Sequence, residues 1–327
     1  MRSLRRAGGR VQNTLRTYRV ATSQVLGAES FWAVLRRTPI RKTLLFCVLF
    51  VRYLPALMPL LSARRGSNLR RTVRARPEIF GIVLTPYLAA SWKPPTRIAR
   101  FVDHHRTVAA IGGIVDFPPD IMIDVVRLTA IDSRYRITLD QARWLLLEGP
   151  LVMSLWDGTH RIFHLGFCLS SENGRRIAYI GSVQGRREID AGNGEGDMLG
   201  VYRGFTKAAA AMRPRDFLVE VFRMFCKALD VAEIRAVAEY NHPQRQAVSD
   251  VKLSYDDIWV ERGGRQGDDG FFVLPVDAAR RGDNDIPTKK KAMYAKRYAM
   301  LDLIEADLIA ALRSSLDLSA TEPAVAN

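Results

Sequence analysis

At 327 residues, 48% hydrophobic and 25% charged, the chain has the composition of a folded protein with one large core or two modest ones, and disorder of the whole chain is excluded. Its net charge of +15 is segregated: residues 1–76 hold 17 Lys and Arg against Glu29 alone, while residues 77–327 hold 32 against 33 acids. Three widely spaced cysteines with no C-x-x-C pair exclude a disulfide framework and a zinc ribbon, and fit a reducing, cytoplasmic compartment.

Residues 1–76 read as a basic leader with helical segments. A block this basic attracts polyanions, anionic lipid first among them; a solvated leader is the plainer alternative. Thr43 to Ala63 (TLLFCVLFVRYLPALMPLLSA) is long enough to span a bilayer. Arg52 at its centre costs about 2.5–3.5 kcal/mol there, and Pro55 and Pro59 interrupt a helix. The run starts too far from Met1 for a secretory signal. Arg41 and Lys42 precede it and Arg64 and Arg65 follow it, as expected of a segment lying on an anionic leaflet. With Arg52, these are the candidate membrane-contact residues. Packing on the protein's own body, a true span and an organelle transit peptide are the competing readings.

Residues 77–150 read as mainly helical. Pro77, Pro86, Pro94 and Pro95 punctuate the start. A helix over 96–114 carries Asp103, His104 and His105, which point in different directions, so the helix reads as exposed and without an acid–base pair. Asp132 to Leu147 reads as a turn and a polar, helix-like run closed by Gly149-Pro150.

From Leu151 the pattern turns strand-like. Leu151–Trp156, His160–Ser170 and Arg175–Val183 make a meander turned at Asp157-Gly158 and Asn173-Gly174. A Gly-rich loop follows over 184–197. Helices are predicted over 198–212 and from Pro214, the second with Phe217, Leu218, Val221, Phe222, Phe225 and Leu229 on one face. Then come a strand at 234–238, a helix over 242–252, strands at 258–261 and 271–276, and an amphipathic helix ending near Leu312. Residues 313–327 read as a disordered tail. The domains are thus the leader 1–76, a helical region 77–150, an α+β domain 151–312 and the tail.

The fold class is α+β: an antiparallel-rich sheet with packed helices, plus a helical N-terminal region. The order in the C-terminal part is similar to that of the N-acetyltransferase (GNAT) fold. There the meander ends in a loop that holds a pyrophosphate, and the next strand splays away to admit the acyl-CoA arm. This is fold-level analogy.

Candidate ligand-binding residues follow from position. Gln184, Gly185 and Arg186 open the Gly-rich loop, whose backbone N–H groups suit a phosphate, with Arg203 as a further source of positive charge. Against this stand four acids in the same loop. Asn241 and His242 follow a strand, with a helix cap as the plainer role. Trp259 alternates with Asp257 and Glu261 on a predicted strand. His160 and His164 are spaced to share one strand face, but no third metal ligand is in register. There is no Gly-x-Ser-x-Gly elbow, no His-Glu-x-x-His and no nucleic-acid motif; nucleic-acid binding rests on charge alone.

The blocks HLGFCLSS (164–171), RIAYIGSVQG (176–185), MRPRDFLVEVFRMFCKALDV (212–231), YDDIWVERGG (255–264), DGFFVLPV (269–276) and KKKAMYAKRYAMLD (289–302) together resemble the VirK/YbjX family. The resemblance spans about residues 75–310 and implies a bacterial protein tied to envelope properties, virulence and tolerance of antimicrobial peptides. It carries over no catalytic residue. The expected function is support of envelope integrity or virulence from the inner face of the cytoplasmic membrane, with an anionic membrane surface and a protein or lipid-linked partner. The alternative is an acyl-CoA-dependent N-acyltransferase or a degenerate CoA-binding relative. No metal is predicted, and acyl-CoA is the cofactor that the GNAT-like order would admit.

Overall fold

Most of the chain's period-2 segments join one sheet. The computed structural model describes residues 17–19, 40–186, 198–244 and 254–321. In chain order these form β1 (Thr17–Arg19), α1 (Ile40–Arg52), α2 (Leu54–Leu61), α3 (Asn68–Ala75), α4 (Pro94–Ile111), β2 (Ile121–Arg127), β3 (Tyr135–Asp140) and β4 (Leu151–Asp157). Then follow β5 (His160–Glu172), β6 (Arg175–Gly185), α5 (Met198–Ala208), α6 (Pro214–Ala228), β7 (Val231–Val237), α7 (Tyr255–Glu261), β8 (Arg265–Gln266), β9 (Phe271–Leu274) and α8 (Lys291–Thr321). Among the described residues the sheet order is β1-β2-β3-β4-β5-β6-β7-β9-β8. Neighbours are antiparallel except β6 and β7, which run parallel across the α5–α6 crossover. The architecture is α+β, as expected.

The meander turns where the sequence places them. Asn173 and Gly174 both take positive φ, 51° and 75°, the pair that a tight hairpin turn demands. Helix α6 starts at Pro214, whose missing N–H is needless in a first turn. It buries Phe217, Leu218, Val221, Phe222 and Phe225 completely. Each such side chain stabilises by about 1.5–3 kcal/mol. They pack with Phe205 of α5, Leu308 of α8, and Leu165, Phe167 and Ile180 on one face of the sheet. The other face, with Cys168, Ile177, Tyr179, Val237 and Phe271, is covered by Leu57, Leu60, Ile79, Tyr87 and Phe101 from the α1–α4 layer.

Several elements differ from expectation. Residues 132–147 hold strand β3, not a helix: Tyr135, Ile137 and Leu139 are fully buried and alternate with Arg136, Thr138 and Asp140. With β2, this brings the 77–150 region into the main sheet. His104 and His105 are buried, not exposed, because α4 lies on the sheet and His104 Nδ1 accepts from the Leu169 N–H at 3.0 Å. The expected strand at 258–261 is the end of α7, capped by the Ser254 hydroxyl. Its acids Asp256 and Asp257 suit a helix start. Helix α8 runs on to Thr321, well into the expected tail, since no Gly or Pro interrupts it before Pro323. The expected helix over 242–252 falls largely on 245–252, outside the described residues, as do most of the Gly-rich loop and much of the leader.

The 43–63 run is two helices, α1 and α2, bent by 85°. The bend has a chemical cause, since Pro55 has no N–H with which to continue α1. No single helix among the described residues is long and apolar enough to cross a membrane.

Candidate functional site

Strands β6 and β7 pair only as far as Ile180 and Ala236. Beyond that point β6 continues to Gly185, while the chain leaves β7 through a short helical turn at Glu239–Asn241. A buried polar cluster occupies the parting.

Its centre is Glu148, 1% exposed. The carboxyl sits on a loop laid flat across β5 and β6, and two glycines make this possible. Gly149 has φ +155°, and a Cβ there would lie 2.3 Å from the Phe167 nitrogen. A Cβ on Gly181 would lie 1.8 Å from the Glu148 carbonyl oxygen. Glu148 Oε2 accepts from Gln184 Nε2 at 3.0 Å. Burial pushes the carboxyl from the ordinary 4.5 up to about 7, and the Ser182 hydroxyl and Gln184 amide only partly oppose this. A carboxyl so placed exchanges its proton near neutral pH, as a general acid or base must.

Around it the groups are neutral. His164 lies opposite Gln184 in the β5–β6 register and meets Trp144 edge-on at 4.6 Å. Burial, and then Arg161, hold its pKa down to about 3. His242 stacks on Tyr255 at 5.1 Å and 19°. Its Nδ1 accepts from the Gln244 N–H at 3.2 Å, which leaves the proton of the neutral ring on Nε2. Burial lowers its pKa to about 4. The Tyr255 hydroxyl reaches the Val183 carbonyl at 3.5 Å, and burial followed by Glu148 raises its pKa. The His242–Tyr255 stack thus fills the gap between the strands.

A rim leads outward from His164. Arg136, Trp156, Arg161 and Trp144 alternate in a ladder, with guanidinium-to-ring distances of 5.0, 5.0 and 5.7 Å. Trp144, at its end, is 56% exposed.

The residues singled out in the sequence are distributed unevenly. Gln184 and His242 belong to the cluster. Gly185 packs under Tyr202, and the Arg186 carbonyl accepts from the Tyr202 hydroxyl at 2.8 Å. Asn241 is a brace: its Oδ1 accepts from the Ser91 N–H at 2.9 Å, and its Nδ2 donates to the Gly270 carbonyl at 3.1 Å. Trp259 is a core residue whose indole donates to the Val237 carbonyl at 2.9 Å. His160 and His164 do not share a face, because the register slips beside Ile162; His160 is exposed and His164 buried. No group of metal-ligating side chains occurs among the described residues. Glu148 and Trp144 escaped the sequence reading. The one signal was an acid set within the apolar run Leu145-Leu146-Leu147 and Leu151-Val152-Met153.

The leader's candidates lie elsewhere. Leu44, Leu45, Val48 and Val51 on α1 and Leu54, Met58 and Leu61 on α2 are 37–71% exposed, at helical spacing within each helix. Lys42, Arg52, Arg64 and Arg65 are exposed around this surface, and Arg41 lies on α1.

A family described as "Protein of unknown function (DUF535)" matches residues 36–310. The chain is 28% identical over 153 residues to the Escherichia coli K12 "Uncharacterized protein YbjX", covering 45% of this chain and 44% of the relative. Two Haemophilus influenzae proteins, each named "Uncharacterized protein", are 31% and 30% identical over 170 and 187 residues. Those alignments take in 51% and 55% of this chain and 54% and 59% of the relatives. The chain therefore spans about half the length of the curated relatives it matches. No solved structure matches significantly.

Proposed function

The chain belongs to the bacterial VirK/YbjX (DUF535) family, and from that premise we propose that it is a peripheral membrane protein that supports the cell envelope from the inner face of the cytoplasmic membrane. The observation that carries this reading is the apolar outer surface of α1 and α2, set among Lys42, Arg52, Arg64 and Arg65. Contiguous exposed apolar surface is rare on a soluble protein and marks a place of contact. The basic residues select an anionic leaflet, each contributing about 1 kcal/mol near such a surface. Two short helices bent at a proline lie in an interface more readily than they cross a bilayer.

Flotation tests this. The full chain should float with phosphatidylglycerol vesicles at low salt and stay behind with phosphatidylcholine vesicles. Leu44→Glu with Val48→Glu and Val51→Glu changes exposed positions only and should abolish flotation. If the wild type stays with neither vesicle, or the triple variant floats as well as the wild type, the docking reading is wrong.

A second reading, an acyl-CoA-dependent N-acyltransferase or a CoA-binding relative, is favoured by the parting of β6 and β7 with Glu148 inside it. In it the Glu148 carboxylate takes the proton that the acceptor amine loses as it attacks the thioester carbonyl, and the thiolate of CoA leaves. The reading requires the His242–Tyr255 stack to yield the opening to the acyl arm. Calorimetric titration with acetyl-CoA decides it: binding that Gln184→Ala weakens would support it, and no heat from a folded preparation would end it.

A further inference from the structure

Two clefts lie outside the residues used so far. The first, between α6, α8 and residues 275–281, has most of its charges answered: Lys227 pairs with Asp277 and Glu305, Arg280 with Asp302, and Arg223 with Glu220, while Arg297 donates to the Ala210 carbonyl. The second, of about 570 Å³, lies between α5 and the start of α6, against Phe163 near the start of β5.

The second cleft is unbalanced. Phe163, Leu199 and Tyr202 give it an apolar wall, and Leu199 is 55% exposed. Arg203, Lys207 and Arg213 stand at its rim, and no acid among the described residues lines it. These three make no ion pair among the described residues, whereas their neighbour Arg215 is held by Asp216 and Glu261. Arg203 and Lys207 are one turn apart on α5, where like charges repel. Arg213 immediately precedes Pro214, so it stands at the positive end of the α6 dipole. All three side chains are exposed, and each placement becomes more favourable around an anion. An arm of carbon beside that anion would cover Leu199.

We propose that this cleft binds a phosphate monoester with an apolar arm, the phosphate among Arg203, Lys207 and Arg213 and the arm along Leu199, Tyr202 and Phe163. The site depends neither on membrane docking nor on acyl transfer. It lies just beyond Gly185 and Arg186, whose neighbourhood the sequence marked for an anion.

The test is calorimetry on the full chain with octyl phosphate, a simple ester that carries both halves of the ligand. At about 50 mM salt, where screening is weak, octyl phosphate should bind at least about tenfold more tightly than inorganic phosphate. Arg203→Glu with Lys207→Glu should cost a further tenfold or more, roughly, with an unchanged circular dichroism spectrum. Leu199→Ser should reduce the preference for octyl phosphate over inorganic phosphate and leave the inorganic affinity as it was. Competition identifies the source: displacement by lysophosphatidic acid indicates a lipid, and displacement by CoA a nucleotide. The proposal is overturned if octyl phosphate gives no saturable heat, if inorganic phosphate binds equally well, or if the double charge reversal leaves binding intact. The last result would place the ester on the exposed face of α1 and α2 instead.

Discussion

Glu148→Gln should make the protein more stable at neutral pH, and the size of the effect can be worked out beforehand. The wild-type carboxyl holds its proton more tightly when folded, at about 7 against an ordinary 4.5. Its favourable contribution is therefore complete below about pH 4.5 and is lost as pH rises through about 7. The loss amounts to about 3 kcal/mol, a sizeable share of a typical unfolding free energy of about 5–15 kcal/mol. Glutamine does not ionise. It can still accept from Gln184 Nε2, and nothing facing it, neither Ser182 nor Tyr255, carries a charge at neutral pH. Buried histidines complicate the raw profile with the opposite sign. His104 and His164 are held near 3 and His242 near 4, so their contributions are present above about 6.5 and lost as pH falls. At pH 5 each costs about 2 kcal/mol. Both proteins share these histidines, so they cancel in the difference. Urea unfolding of wild type and variant at half-unit steps from pH 4.5 to 8 should give a gap that widens by about 3 kcal/mol, most of it between pH 5 and 7. A gap that stays constant across that range would mean that Glu148 titrates like a solvated carboxylate and that the cluster is not closed to water.

Gly181→Ala should destabilise strongly, by about 3 kcal/mol or more, because its Cβ meets the Glu148 backbone and not a side chain that can turn away; thermal melting reads this directly. Asn241→Ala should cost about 2 kcal/mol in urea unfolding by stranding the Ser91 N–H and the Gly270 carbonyl. It should leave octyl phosphate affinity unchanged, as befits a brace remote from that cleft. Of the three thiols, Cys47 alone should react with a disulfide reagent in the native protein, since it is exposed, while burial pushes Cys168 up to about 12 and raises Cys226 as well.

What could be read in the sequence followed from local chemistry. The Asn173-Gly174 turn, the Pro214 helix start and the apolar face of α6 each depend on residues within a few positions of one another. The candidate site depends on what comes together from afar. Glu148 and Gln184 are far apart in the chain, and only the pairing of β5 with β6, together with the two glycines, makes them neighbours. The alternation of Tyr135, Ile137 and Leu139 is visible in the sequence, but the polar Arg136, Thr138 and Asp140 that alternate with them give the segment a polar, helix-like pattern. Those residues face a polar strip of the sheet in which Arg136 stacks on Trp156 and the Trp156 indole donates to Thr138. The histidine pair at 160 and 164 misled for a related reason: one extra residue in a strand reverses the face of everything beyond it.

The charge segregation between residues 1–76 and the rest suggests a detachable head on an independent body, but the packing argues otherwise. Leu57, Leu60, Val73 and Ile79 form one cluster with Tyr179, Val237 and Phe271 of the sheet. Arg76 is 6% exposed and donates to the carbonyls of Pro119 and Gln141, and Gln141 in turn donates to the Phe117 carbonyl. Arg143 and Glu78 form a two-bonded ion pair at 2.5 and 3.0 Å, and the Leu88 N–H donates to the Leu147 carbonyl at 2.7 Å. The segment leading into Glu148 is thus held at Arg143 and at Leu147. Removing residues 1–76 would take Leu57, Leu60 and Val73 out of that cluster and orphan the Gln141 and Pro119 carbonyls. Solubility or inactivity of such a truncation would report on folding. Only substitutions confined to the outer surface, such as Leu44, Val48 and Val51, separate docking from stability, because the inner side of the same two helices is part of the core.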